Sequence, residues 1–487
     1  MRGTTRYFTI IFSLIMLSVL IGACKRPPQF GTDENLKLDF STDTLLFDTV
    51  FTSLGSSTHR LMVYNRNLDN LKISSVRLQG GEQSPFRLNL DGIAGVEFYD
   101  KEIYAGDSLF AFLNVTINPN DSNSPFVIED EITFVTNGNT QNIKLMAWGQ
   151  NANYIIADRV IAGYPKFKIV ADSLETTYWT NERPYVIYGY ALINSYGTLH
   201  IQEGTKIHIH DGGGIWSWSD GQLIIDGSPD NPVVIQGDRL EPYYKNQPGQ
   251  WDRIWLMDGR AGADHQIRNA VIRNAFIGIQ AESFLKATQS ALRIENTIVE
   301  NNTGWGIYAL LYAIEAKNLV IGNCGKYGIS VLAGGDYRFI HSTIANNWNN
   351  STRTTPSLYL NNYLKDDNGT YEYPFNFVMD NCILHGNHDN EIRTDFMGPD
   401  TTYTFNHCLI KSKQYSNNSS GFSNCIFNKD PLFADYSHFN YHLGDPLSPA
   451  IGAGNPTYAI EVPYDKDGIE RGLVPDIGAY QYISTEE

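Results

Sequence analysis

Cysteine is scarce in this chain: five among 487 residues, with no CxxC spacing. That excludes zinc sites and dithiol redox centres built on such a pair. Basic runs are missing as well, since 36 Lys and Arg stand against 53 Asp and Glu, for a formal net charge of −17. Neutralising phosphates requires clustered cations, so nucleic acid is not an expected partner. The acidity itself reads as a solubility device. Beyond the first two dozen residues no segment approaches the roughly 18 apolar residues of a spanning helix. What is abundant is the material of strands and turns: 13% aromatic residues and 42 glycines.

The N-terminus, "MRGTTRYFTIIFSLIMLSVLIGAC", has basic Arg2 and Arg6, an apolar run and then small residues before Cys24. These are the regions of a signal peptide. The ending "LIGAC" resembles a bacterial lipobox, which implies cleavage before Cys24, lipidation of its sulfur, and a cell-envelope lipoprotein of the outer membrane held to the membrane by that anchor. Residues 1–23 are thus expected to be a signal peptide and 24–40 a polar tether. No acidic cluster follows Cys24, which favours the periplasmic over the surface face.

Residues 41–152 carry short alternating runs such as "TLLFDTVF", "LKISSVRL" and "DSLFAFLNVTI", with "TNGNT" at Thr136–Thr140 marking a hairpin. About seven strands in this length suit a β-sandwich, and the phrasing resembles the Ig-like modules that precede β-helices in exported bacterial proteins. From residue 153 an internal repeat takes over. Aligned on a recurrent asparagine it reads "NAVIRN" at Asn269, "NTIVEN" at Asn296, "NLVIGN" at Asn318, "STIANN" at Ser342, "NCILHG" at Asn381, "HCLIKS" at His407 and "NCIFNKD" at Asn424. Most steps span about 22 to 27 residues, one turn of a parallel β-helix, with Asn and Gly at bends that demand left-handed backbone. The repeats resemble those of right-handed parallel β-helix proteins, the group that includes pectate lyases and polygalacturonases. The expected fold is therefore all-β: an Ig-like β-sandwich (41–152) followed by a right-handed parallel β-helix of roughly a dozen coils with a C-terminal cap (153–487).

The resemblance implies a ligand groove along one strand face. On the strand after each Gly bend, Ile279, Ile307, Ile329, Leu358 and Ile392 are expected to point inward. Their neighbours Gln280, Tyr308, Ser330, Tyr359 and Arg393 then point outward. With Trp305 and the nearby Trp348, this strip could stack on sugar rings and hydrogen-bond a polysaccharide. The titratable cluster "HGNHDNEIRTD" suggests a catalytic alternative, a polysaccharide lyase or hydrolase acting on acidic glycans, with Glu391, Arg393 and Asp395 sharing a face and His388 in the preceding bend. Against this, the acid and base motifs of polygalacturonases and pectate lyases are absent, and "IWLMDG" at Ile254–Gly259 retains only the Trp and Asp. No metal site or cofactor is expected, calcium being the one ion the oxygen-rich bends could suit. "DKDG" at Asp465–Gly468 reads as a capping turn closed by Arg471 and Asp476. Cys382, Cys408 and Cys425 share one repeat position and read as a buried column of small side chains.

Overall fold

The computed structural model describes residues 28–119, 123, 125–283 and 291–484; the expected signal peptide and Cys24 lie outside them. The chain divides into two compact units, Met1–Gln150 and Asn151–Glu487. In the first, two five-stranded sheets enclose one apolar core of residues such as Phe47, Leu61, Ile73, Phe86, Leu113 and Phe134. The "TNGNT" turn joins the antiparallel strands Phe126–Thr136 and Asn139–Gln150. Asn137 and Gly138 both take positive φ, the pair that a twisted two-residue hairpin needs.

The second unit is a parallel β-helix. One sheet has 11 strands, one per coil, from Asn153–Ile156 to Ile426–Phe427. The other has 17 and contains two interleaved ladders, so each coil has three strand faces. The first of these ladders runs from Phe167–Ala171 through Trp251–Leu256, Ala275–Glu282 and Trp305–Lys317 to Ile392–Asp395. Its inward residues pair in the expected register, Ile279 with Ile307, Ile307 with Ile329, Ile329 with Leu358 and Leu358 with Ile392. All five are buried in a single core filled mainly by Ile, Leu, Val and Phe. Each such side chain contributes roughly 1.5–3 kcal/mol by leaving water.

Bends set the coil's shape. Asn269, Asn296, Asn318, Asn381, His407 and Asn424 all have φ near +50°, as does His341. The repeat alignment that put Ser342 at this position is therefore one residue late. The structure pairs Thr343 with Ile383, which leaves His341 opposite Asn381 and Ser342 opposite Cys382. A histidine reads poorly as a bend marker, yet its ring accepts the ladder bond, Asn381 Nδ2 lying 2.9 Å from His341 Nε2. A second column turns the chain at Asn274, Asn301 and Asn323. Asn323 Nδ2 donates to Asn301 Oδ1 and Asn301 Nδ2 to Asn274 Oδ1, both at 2.7 Å. These side-chain ladders satisfy buried polar groups that a bend would otherwise leave bare.

The segment after residue 430 folds back on the 11-stranded sheet. Tyr441, Ala479 and Tyr480 pack on Val320 and Ala345, with Ile298 against the same cluster. Ile298 faces outward into this cover while Val299 fills the core. In the "DKDG" turn Asp465 Oδ1 accepts from the backbone of Asp467 and Ile469. Arg471 crosses to donate to Asn318 Oδ1 at 2.8 Å. The cap is thus stitched to the bend ladder. Cys382, Cys408 and Cys425 are buried free thiols, and burial pushes the Cys408 thiol well up.

Candidate functional site

The outer face of the first ladder carries the groups of interest. Its outward positions pair in the order Leu192, Trp216, Trp255, Gln280, Tyr308, Ser330, Tyr359 and Arg393. The seven rungs from Trp216 to Arg393, six steps in all, extend about 29 Å at the parallel-strand spacing. Trp216 and Trp255 stack with centroids 4.8 Å apart and planes 7° from parallel. Further along, Trp305 meets Tyr308 edge-on and lies beside Tyr327, whose ring is 5.7 Å from that of Tyr359. Cations border this row, Lys326 Nζ lying 4.3 Å from the Trp305 centroid and Arg393 over Tyr359 at 5.6 Å.

Beneath the aromatic row lies a continuous polar network. Tyr190 donates its hydroxyl to Asp252, Arg253 Nε donates to Asp252 Oδ1 at 2.9 Å, and Arg253 Nη1 donates to Gln280 Oε1. Gln280 Nε2 then donates to Glu282 Oε2 at 2.8 Å, and Trp255 Nε1 to Glu282 Oε1 at 2.6 Å. Glu282 is only 6% exposed, so two donors rather than water hold its carboxylate. Tyr308 stands beside it, its phenol pKa raised chiefly by burial and secondly by the Glu282 charge. At the far end, Asp395 accepts from Tyr359 at 2.9 Å and Tyr363 at 3.1 Å. Burial and that bond push the Tyr359 phenol pKa upward.

Several expected contact residues take other roles. Ser330 is 2% exposed, covered between the larger side chains on neighbouring rungs, and cannot present its hydroxyl to a ligand. Gln280 is floor too, its amide engaged with Arg253 and Glu282. Tyr308, Tyr359 and Trp305 keep partly open rings on the outward face, and Arg393 is exposed.

The expected quartet is not assembled. Glu391 does not share the face of Arg393 and Asp395; it turns into the interior and pairs with Arg353 at 2.6 Å, both side chains having no exposure. Ser357 donates to it from its backbone N at 2.8 Å and its hydroxyl at 2.7 Å, and His388 from its backbone N at 2.7 Å. The reason is local. Gly386 leaves the space, since a Cβ there would collide with Glu391 Oε1. The loop between strands Thr343–Asn346 and Leu358–Asn361 carries Arg353 and supplies the cation, which strand alternation alone does not foresee. The His388 ring is folded back on Asn390, with Nδ1 3.0 Å from its carbonyl oxygen. Trp348, an aromatic candidate from the same region, is buried and donates to Ser351.

Asp252 and Arg253 were not singled out by sequence. The available signal was "WDRIW" at Trp251–Trp255, where buried Trp251 and Ile254 frame charged and aromatic outward positions. A bulge between Arg253 and Ile254 breaks the simple alternation. Among the described residues no group of three or more His, Cys, Asp or Glu is arranged to hold a metal ion.

No family model and no curated protein matches the chain. Among solved structures, the catalytic domain of a GH87 alpha-1,3-glucanase in complex with tetrasaccharides is 12% identical over 76% of this chain and 87% of that one, with a TM-score of 0.19. The same kind of domain in complex with nigerose is 11% identical over 76% and 86%, with a TM-score of 0.20. A family 123 glycoside hydrolase from Clostridium perfringens is 8% identical over 23% of this chain, with a TM-score of 0.16; the alignment spans 26% of that protein. At these scores the architecture rests on the strand pairing itself.

Proposed function

We propose that the outer face of the first ladder binds an extended glycan. One observation carries this reading: aromatic rings recur along an in-register strip of about 29 Å, over a floor whose polar groups are already bonded to one another. Sugars present apolar ring faces and peripheral hydroxyls, which suits aromatic walls with fixed donors and acceptors beside them. Trp305, Tyr308, Tyr327 and Tyr359 are the stacking surfaces. Arg393 and Lys326 offer charge to a carboxylate-bearing sugar. Gln280, Arg253 and Glu282 hold the floor rigid.

The catalytic alternative is favoured by Glu282 alone, a carboxylate held at the centre of the strip beside Tyr308. Of the nearer acids, Asp252 is taken up by Tyr190 and Arg253, and Asp258 by Ser283; the other acid in Glu282's own outward row is Asp395, four rungs away. At the strand spacing that is about 19 Å, beyond the roughly 5–9.5 Å of paired glycosidase carboxylates. Binding without cleavage is therefore the preferred reading. The rest of the proposal is an exported lipoprotein, anchored through Cys24, with the Ig-like unit as spacer.

The test is a screen of the purified protein against neutral and acidic polysaccharides, with and without calcium, scoring retention, new reducing ends and unsaturated products. Retention lost in Tyr308→Ala and unchanged in Arg338→Ala supports the reading. Product formation abolished by Glu282→Gln would replace it with the enzyme. Extraction of Cys24→Ser into the soluble fraction is the expected signature of the anchor.

A further inference from the structure

The first ladder's outer face begins in a cleft that sugar recognition leaves unexplained. It has a volume of about 550 Å³, and its walls are mainly apolar, including Tyr164, Trp216, Trp218, Leu192, Val160 and Ile161. The turn at residues 158–165 forms one side. It is held by an antiparallel bridge in which Arg159 N donates to the Phe167 carbonyl at 3.0 Å and Phe167 N to the Arg159 carbonyl at 3.1 Å. This turn carries Val160 and Ile161 with 70% and 53% of their surface in solvent. Tyr164 stacks on Trp216 at 5.5 Å and meets Trp218 edge-on at 5.3 Å.

The cleft's polar residues are Arg159, whose side chain is more than half in solvent, and Asn194. Asn194 lines the cleft, but its amide donates to Asp172 at 2.7 Å and its carbonyl accepts from Ser195 N. Trp216 is 1% exposed, and its Nε1–H has no acceptor among the described residues. Val160, Ile161, Ile169 and Leu192 stand beside the rings, and such aliphatic walls suit a run of methylenes.

We propose that this cleft seats an apolar chain, alkyl or acyl, carried at one end of the glycan. The chain lies against Trp218, Tyr164 and the aliphatic side chains of the 158–165 turn, while the sugars continue from the Trp255 rung toward Tyr308. This rests on the glycan reading above and extends it from a polysaccharide to an amphiphilic glycoconjugate. Leu192 and Trp216 precede Trp255 and Gln280 in the same outward register, which makes cleft and strip one track.

The experiment titrates the full chain with methyl, butyl, hexyl and octyl β-glucosides below their micelle concentrations, read by calorimetry and tryptophan fluorescence. Affinity should tighten about fourfold per added methylene until the cleft is filled. Ile161→Asp, on the exposed turn, should flatten that dependence and leave plain oligosaccharide binding unchanged; Tyr164→Ala is the second variant, in case the first folds poorly. Chain-length independence, or a dependence that survives both variants, overturns the proposal and leaves the glycan strip standing. A dependence abolished by the variants in a protein that binds no plain oligosaccharide keeps the cleft and removes the strip.

Discussion

Arg353→Met leaves the Glu391 carboxylate in the interior without its cation. Neither side chain of the pair has any exposure. Arg353 also donates to Asn387 Oδ1 at 2.7 Å and to the Asn346 carbonyl at 2.9 Å, so three segments of the coil meet at one guanidinium. Three further donors from Ser357 and His388 remain on Glu391, but they do not neutralise it. Breaking one side of a buried pair costs about 3–5 kcal/mol, because the survivor keeps its desolvation without its partner. Removing both in Arg353→Met/Glu391→Leu should cost less than the two single changes added together. The assay is urea unfolding followed by tryptophan fluorescence, which reports mainly the β-helix because Trp148 alone of the eight tryptophans lies before residue 151. Arg338→Met is the control: its pair with Glu461 is 37% and 33% exposed and should be worth under about 1 kcal/mol. An Arg353→Met protein within about 1 kcal/mol of the parent would refute the reasoning and mean that water reaches the pair.

Other consequences can be measured separately. Burial raises the Glu300 carboxyl pKa to about 7, with Arg273 opposing. Since the folded value is the higher one, the unfolded chain ionises first. Stability should fall as pH rises from about 4.5 to 7, by roughly 3 kcal/mol, and stay level above. Glu300→Gln should abolish that fall and be the more stable protein at pH 8 in a denaturation series. Asn301→Ala forces alanine to φ near +56° and removes side-chain bonds to Asn274 and Asn246; urea midpoints should report a loss of about 3 kcal/mol. Cys324, Cys382, Cys408 and Cys425 should resist thiol reagents in the native protein and react on unfolding, as buried free thiols must.

The β-helix was legible because its signal is periodic. Branched apolar residues at inward positions and Asn or Gly at bends recur coil after coil, and the expected pairing of Ile279 through Ile392 follows from that recurrence. His341 shows where periodicity fails, since a histidine can occupy the bend and join the ladder through its ring. Ile298 is apolar yet faces outward, because a segment more than 140 residues later covers the sheet, and no local pattern announces that. Glu391 was misplaced for a related reason, its partner Arg353 arriving from the loop between two strands of the preceding coil. The polar floor escaped notice because Asp252, Arg253 and Glu282 are scattered singly, and only the stacking of coils joins them. Ladders are read from sequence; networks across rungs need the register.

The most direct test of the glycan strip is calorimetric titration with a length series of one glycan retained in the polysaccharide screen. Affinity should rise with each added sugar until the strip from Trp255 to Arg393 is occupied, and Tyr308→Ala and Tyr359→Ala should each weaken the longest oligomer about tenfold or more. Affinity that ignores length, or that both substitutions leave unchanged, would contradict the account.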